Sequence, residues 1–479
     1  MANSTPSVPA DVLGRIRAAL GPAGCLEGAA DVEKYLTDFR GLYRGATPLV
    51  ACPRDTAQVA AVLAICNEAR VGVVPHGGNT SYCGGATPDA SGKQLVLSLH
   101  RMNRIREVDA ANFSMVAEAG CVLADVQAAA RAADCFFPLA LGSEGSCQIG
   151  GNLATNAGGL AAVRYGVARD LALGLEVVLA DGRVLDGISS LRKDNTGYDL
   201  RDLFIGAEGT LGVITAASLK LFPPLRTVET AFLAVPGMAA AVDLLGRLRA
   251  ATGDCVTSFE YLPRIALDFT VRHVPGVNDP LGAPHPAYVL CEVGTARVDP
   301  QLRGIVEQAL GAALQDGLVQ DAAFAESIAQ RDALWKLRES VPEAQRHEGA
   351  SIKHDVSVPV AALAAFLEKA AAAVARVAPA ARLVAYGHVG DGNLHFNLSE
   401  PVDGRDRAGF LALQGEINDR VHDCVREFRG SISAEHGIGQ LKRSALAQYK
   451  DPVALDAMRA IKRALDPHGI LNPGKVLPD

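Results

Sequence analysis

Apolar and polar positions alternate along the chain in a pattern of short strands and amphipathic helices. After a lead-in over residues 1–50 that reads as helix and then a connecting strand, "PRDTAQVAAVLAICNEARVGVVPHGGNTSYCGGA" reads as helix, strand and glycine loop. Asp55 followed by Gln58 resembles a capping box, and "VGVV" at 71–74 is a short buried strand. Further along, "DLLGRLRAA" and "AALAAFLEKAAAAVARV" carry helical spacing, whereas "LVLSLH", "AYVLCEV" and "KHDVSVPV" are strand-like. Near the C-terminus, "RLVAYGHV" and "NLHFNL" flank Asp391-Gly392, a dipeptide that favours a two-residue hairpin loop. Such a loop pairs Gly390 with Asn393, Val389 with Leu394, and His388 with His395. Cross-strand neighbours have Cβ atoms roughly 4.5–5.5 Å apart. Both imidazoles would then reach one metal ion.

Composition narrows the function class. The 479 residues are 49% hydrophobic and 21% charged, which predicts a globular chain of two or three domains with large cores. A net charge of −7, with basic residues scattered, gives no electrostatic footprint for nucleic acid or an anionic membrane. The N-terminal stretch has no apolar signal core, and no run approaches the ~20 apolar residues of a membrane span, so the cytoplasm is expected. None of the ten cysteines forms a Cys-x-x-Cys pair, which argues against iron–sulfur clusters, zinc ribbons and a disulfide framework. Small buried apolar roles are expected for them.

Three glycine-rich blocks carry the next signal: "PHGGNTSYCGGA", residues 138–166 and residues 204–223. Glycine lets a backbone approach a ligand closely, and successive N–H groups can form a nest for phosphates. The first block leads through turn-forming "TPDASGKQ" into a strand rather than into a helix, and neither a Gly-x-Gly-x-x-Gly fingerprint nor a Gly-Lys-Ser/Thr occurs there. The usual nucleotide folds are therefore excluded. Three blocks in one half of the chain point to a large, extended ligand.

"PHGGNTSYCGGA", "CQIGGNLATNAGG", "EGTLGVITAASLKLFP" and "LDPHGILNPGKVLP" resemble the signature segments of FAD-linked oxidoreductases of the vanillyl-alcohol oxidase and para-cresol methylhydroxylase superfamily, from about residue 40 to the end. "YGHVGDGNLHFN" and "SISAEHGIG" resemble its branch acting on D-2-hydroxy acids. The resemblance implies an α+β fold: a two-subdomain FAD-binding domain over 1–223, an α+β substrate-binding cap over 224–430, and a segment over 431–479 that returns to the flavin. It places Pro75, Gly77, Gly78, Asn79, Thr80, Ser81, Gly84 and Gly85 along the cofactor's phosphates. Pro138, Gly142, Ser143, Gly150, Gly151, Asn152, Thr155 and Asn156 follow along the ribityl chain and ring, Glu208, Gly212, Val213 and Ile214 near the adenine end, and Asn472 near the flavin. Where some relatives attach FAD through a histidine after paired glycines, this chain has Asn79, with His76 ahead of the glycines. Noncovalent FAD is expected.

The same resemblance assigns the remaining chemistry. Glu435 joins His388 and His395 in a three-ligand site for a divalent metal, zinc being favoured and manganese, iron or cobalt remaining open. His436 is the base that takes the hydroxyl proton while hydride leaves for flavin N5. Arg338 and Lys353 match positions that hold a distal carboxylate, and Asn397 shares a strand face with His395 as a further donor. Pro342 stands where some relatives have a threonine hydroxyl, which weakens the match. His354 is read as structural. The implied function is FAD-dependent, metal-assisted oxidation of a D-2-hydroxy acid to the 2-oxo acid, D-2-hydroxyglutarate first. D-lactate or glycolate oxidation, or a non-catalytic flavin-binding electron-transfer subunit, are the alternatives. Reduced flavin must pass its electrons to an external carrier such as an electron-transfer flavoprotein or a quinone. For the assembly, a homodimer is the expectation.

Overall fold

Asp55 starts the first long helix, Thr56–Ala69, by accepting a 2.9 Å hydrogen bond from the Gln58 backbone N–H, and the helix ends where Arg70 turns left-handed at φ 54°. The return arm of the expected capping box lands one residue early: Gln58 Oε1 accepts from the N–H of Arg54. Val59, Val62, Leu63 and Cys66 form one stripe of this helix and pack with Val12, Ile16 and Leu20 of the helix Ala10–Leu20. Each such side chain contributes about 1.5–3 kcal/mol when fully buried.

The computed structural model describes residues 8–402 and 406–478. Residues 1–7 of the lead-in lie outside them. The chain divides into two units, Met1–Gly158 with Val167–Pro224 and Glu435–Asp479, and Gly159–Gly166 with Leu225–Ala434. The second unit thus takes Gly159–Gly166 from within residues 1–223, the expected FAD-binding domain.

In the first unit, β1 (Cys25–Leu26), β2 (Val50–Ala51), β3 (Gly72–His76) and β4 (Gln94–Ser98) form a sheet in the order β1-β2-β4-β3, its last three strands parallel. A second, antiparallel sheet runs β5-β6-β9-β7-β8, built from β5 (Ile105–Asp109), β6 (Ser114–Glu118), β7 (Ala172–Val178), β8 (Val184–Gly187) and β9 (Val213–Lys220). The C-terminal segment comes back onto β3: the Val73 N–H donates to Ile470 O, and the Asn472 N–H donates to Val73 O.

The second unit is built on one antiparallel sheet, in the order β13-β10-β12-β11-β16-β17-β14 with β15 also on β17. Its strands are β10 (Thr227–Val235), β11 (Val256–Pro263), β12 (Ala287–Thr295), β13 (Asp321–Phe324), β14 (Ser351–Ile352), β15 (Asp355–Ser357), β16 (Arg382–His388) and β17 (Asn393–Ser399). Alternate residues feed two cores. Ala231, Leu233, Val289, Cys291, Leu394 and Phe396 go to one face, and Phe232, Leu262, Tyr288, Leu290, Val384 and Tyr386 to the other. The second face is covered by the helices Arg264–His273, Ile328–Glu339 and Val341–His347. By parity Glu260, Glu292, His388, His395 and Asn397 lie on it.

The hairpin of β16 and β17 differs from its expected register. Tyr386, not His388, stands opposite His395, and Ala385 opposite Phe396. A 3₁₀ turn over Val389–Asp391 followed by left-handed Gly392 replaces the two-residue loop. A Cβ on Gly392 would lie 2.0 Å from Val358 O, so the backbone just after β15 packs against the longer turn and leaves room only for glycine. The shift is two residues, which leaves every side chain on its expected face. "KHDVSVPV" also divides: Lys353 and His354 separate β14 from β15. All ten cysteines are free, eight of them buried, with Cys25 and Cys255 partly exposed.

Candidate active site

The glycines of the first unit clear a crevice. Gly77 and Gly78 follow β3 directly. A Cβ at Gly78 would sit 2.2 Å from Ser146 O, and one at Gly77 would reach 3.7 Å from the Cα of Gly151. Gly150, Gly151 and Asn152 are helical, in the short helix Ile149–Ala154. Gly150 lies against Ala119, whereas a Cβ at Gly151 or Gly142 would meet nothing within 4 Å. Buried oxygens line the same region: Gln148 Oε1, Asn152 Oδ1 and Asn472 Oδ1 find no partner among the described residues. Acceptors of this kind at a gap bordered by bare backbone suit a large polar ligand with hydrogen-bond donors, and FAD is one.

Other expected cofactor residues hold the crevice together. Asn79, left-handed at φ 53°, donates to Thr37 O, Ser81 Oγ accepts from the Cys83 N–H, and Thr155 Oγ1 donates to Gly151 O. Asn156 accepts from the Arg169 N–H. Pro75 packs under Gly209, and Gly84 leaves room for the Tyr43 ring. Ser143 O accepts from the N–H groups of Ser146 and Cys147. Gly212 fits against Val177 and Phe204, and Val213 and Ile214 are buried in β9. Asn472 donates to Gly85 O and Glu208 O. The carboxylate of Glu208 accepts from the N–H groups of Ile438 and Gly439 at 2.7 and 2.9 Å, which clamps the loop carrying Glu435 and His436. Burial pushes the Glu208 carboxyl up from its ordinary value, against these two bonds. Within this unit Gly158 makes way for the Glu435 carboxylate, and the His436 ring lies 4.5 Å from that of Tyr82.

The second unit brings charge into its sheet. His388 and His395 present ring nitrogens within 4.8 Å of each other, and so do His395 and an oxygen of Asp355. Their ring centroids are 5.5 Å apart, and His388 is buried. Behind His388 stands Glu260 of β11, which no motif had singled out. Its Oε1 is 2.6 Å from His388 Nδ1, and its Oε2 accepts from Arg338 Nε at 2.8 Å. Burial would push the Glu260 carboxyl up, but His388 and Arg338 outweigh it and hold the group down at about 2. The signal in the sequence was a lone acid in an apolar strand, "VTSFEYLP".

Arg338 sits on the helix Ile328–Glu339 as expected, but buried, with its guanidinium 4.9 Å from the Tyr386 ring centre. Asn397 donates to Gln345 Oε1 and His354 is bonded to Phe396 O and Asn418 Oδ1. No described helix is long and apolar enough to cross a membrane.

The comparisons agree with this division of labour. A family model described as "FAD binding domain" matches residues 47–187, and one described as "FAD linked oxidases, C-terminal domain" matches residues 225–476. The mitochondrial D-2-hydroxyglutarate dehydrogenase of Bos taurus is 40% identical over 461 residues, covering 95% of this chain and 82% of that protein. The mitochondrial enzyme of that name from Arabidopsis thaliana is 38% identical over 459 residues (96% and 80%), and the D-2-hydroxyglutarate dehydrogenase of Xanthomonas citri pv. viticola is 37% identical over 447 (93% of each). Among solved structures, p-cresol methylhydroxylase with substrate bound superposes with a TM-score of 0.76 at 17% identity, over 97% of this chain and 96% of that one. With a glycine crevice in one unit, an imidazole pair in the other and full-length relatives at this identity, the chain belongs to the FAD-linked oxidases of the vanillyl-alcohol oxidase and para-cresol methylhydroxylase family.

Proposed function

We propose that this chain oxidises a D-2-hydroxy acid to the 2-oxo acid, with D-2-hydroxyglutarate, which becomes 2-oxoglutarate, as its first substrate. The observation that carries the reading is the pair of imidazoles, His388 and His395, backed by a buried carboxylate in a chain whose full-length relatives bear that enzyme's name. His388 and His395, with Glu435 at the start of the next segment, would hold a divalent ion, zinc before manganese, iron or cobalt. The crevice of Gly77, Gly78, Gly142 and Gly151 would hold FAD noncovalently. When bound, FAD supplies a two-electron acceptor and the ion a Lewis acid that orients and acidifies a hydroxyl.

The remaining work belongs to side chains of this chain. His436 takes the hydroxyl proton as the C–H bond gives up its electron pair. Arg338 and Lys353 hold the substrate's far carboxylate, and Asn397 is a further donor to the substrate. A guanidinium has five N–H donors, and Glu260 engages only the Nε and Nη2 groups of Arg338. Reoxidation falls to an external electron-transfer flavoprotein or quinone. An anaerobic screen of D- and L-2-hydroxy acids by flavin absorbance tests the reading. Bleaching by D-2-hydroxyglutarate ahead of D-lactate and glycolate is expected, and failure of every D-2-hydroxy acid to bleach the flavin would sink it.

A further inference from the structure

Glu260 has a place in the fold that packing alone does not explain. It lies in the middle of β11, directly opposite His388 on β16, so both side chains leave the sheet on one face. Glu260 is fully buried and His388 nearly so. A carboxylate in such a place is costly unless it is fully partnered. Its partners are these: His388 Nδ1 at 2.6 Å on one oxygen, and Arg338 Nε and Nη2 at 2.8 and 2.7 Å on the other. Arg338 is itself held from below by the ring of Tyr386, which precedes His388 by two residues and shares its face. The result is a fixed stack of Tyr386, Arg338, Glu260 and His388 within one unit.

A neutral imidazole carries a single N–H, and only its other nitrogen can bind a metal. We infer that Glu260 is a positioning residue: by accepting the Nδ1–H of His388 it fixes the ring's tautomer and angle, and leaves Nε2 as the ligand. Arg338 anchors Glu260 in turn. The Asp355 oxygen stands 3.9 Å from the Nδ1 of His395, beyond hydrogen-bond range. Asp355 is instead engaged by the Asn393 side chain at 2.9 Å. His388 is thus held from behind by a carboxylate within hydrogen-bond range.

The inference rests on the proposed metal site, and the test separates the two. Zinc affinity is measured by chelator competition on the FAD-loaded protein and on Glu260→Gln, Glu260→Asp and Glu292→Gln. Glu292 is the matched control: a buried carboxylate one strand away, paired with Arg331 of the same helix as Arg338 and, among the described residues, hydrogen-bonded to no histidine. Glu260→Gln should weaken zinc about ten- to a hundredfold, the usual effect of losing a partner behind a metal-binding histidine. Glu260→Asp should fall between that variant and the native protein, Glu292→Gln should stay native, and FAD content should not change. Histidine ¹⁵N chemical shifts of the native protein, which need no variant to fold, should show His388 protonated at Nδ1. Native zinc affinity in a folded Glu260→Gln, or His388 protonated at Nε2, would overturn the positioning role alone. A native protein whose zinc binding is absent, or indifferent to His395→Ala, would overturn the metal reading and this inference with it.

Discussion

The two units prepare for their ligands by opposite means. The first removes side chains: at Gly78 a methyl group would strike backbone, and at Gly151 it would enter open space. The second adds charge where the core should be apolar, burying Glu260, Arg338 and His388 against one another. Bare backbone suits a large cofactor held by many N–H and C=O groups. A buried, mutually paired cluster suits a small ion and a reacting hydroxyl, because fixed charges are strongest away from water. The first device is tolerant, being spread over many positions, whereas the second depends on a few.

That contrast can be broken most sharply at His395. His395→Ala should cost about three orders of magnitude in kcat, as loss of a Lewis acid worth several kcal/mol would, while FAD content, read from the flavin-to-protein absorbance ratio, stays native. Loss of FAD from this variant would show that the devices are not separate. His436→Ala should lower kcat about a hundredfold with zinc content unchanged. If zinc is lost and added zinc restores the rate, His436 supports Glu435 instead. Lys353→Ala should cut kcat/KM for D-2-hydroxyglutarate about ten- to a hundredfold and leave D-lactate nearly untouched, since a charge-assisted hydrogen bond is worth about 1.5–3 kcal/mol. An unchanged ratio of the two substrates would remove Lys353 from the substrate site. Arg338 is a poorer probe, because its removal strands Glu260 as a buried charge. In the first unit, Gly151→Ala should weaken FAD about tenfold by filling the crevice, yet leave the melting temperature of the FAD-free protein unchanged or slightly raised, as alanine suits a helix better than glycine. Unaltered FAD affinity would place the cofactor elsewhere.

The contrast extends to stability against pH. Burial beside Tyr35 pushes His76 of the first unit down to about 4, so between pH 6.5 and 4 the unfolded chain takes up a proton that the folded one refuses. Stability is full above pH 6.5 and falls across that window by an amount of order 3 kcal/mol. In the second unit burial alone would raise Glu348, but hydrogen bonds from Arg382, His273 and Arg272 outweigh it and hold the carboxyl down at about 2. Its contribution is present above pH 4.5 and is lost as pH falls toward 2. His76→Phe should flatten the upper window and Glu348→Gln should make the lower one shallower, Glu260 contributing the rest, read from denaturant unfolding at each pH; a lower window flattened by His76→Phe would contradict the assignment.

What could be read directly from the sequence was local. Asp55 as a cap, the strands "VGVV" and "AYVLCEV", the two apolar helices and the glycine blocks all follow from neighbours a few residues apart. The hairpin was legible as a hairpin. Its register was not, because the turn length depends on Val358 from another part of the chain pressing on Gly392; the faces survived only because strands repeat every two residues. Tertiary structure alone decided the partners of buried charge. Glu260 and His388 are 128 residues apart and Glu260 and Arg338 are 78, distances over which no spacing rule operates. A lone acid in an apolar strand announces that some partner must exist, since burial without one is too costly, but which residue answers is fixed only when the sheet aligns β11 beside β16.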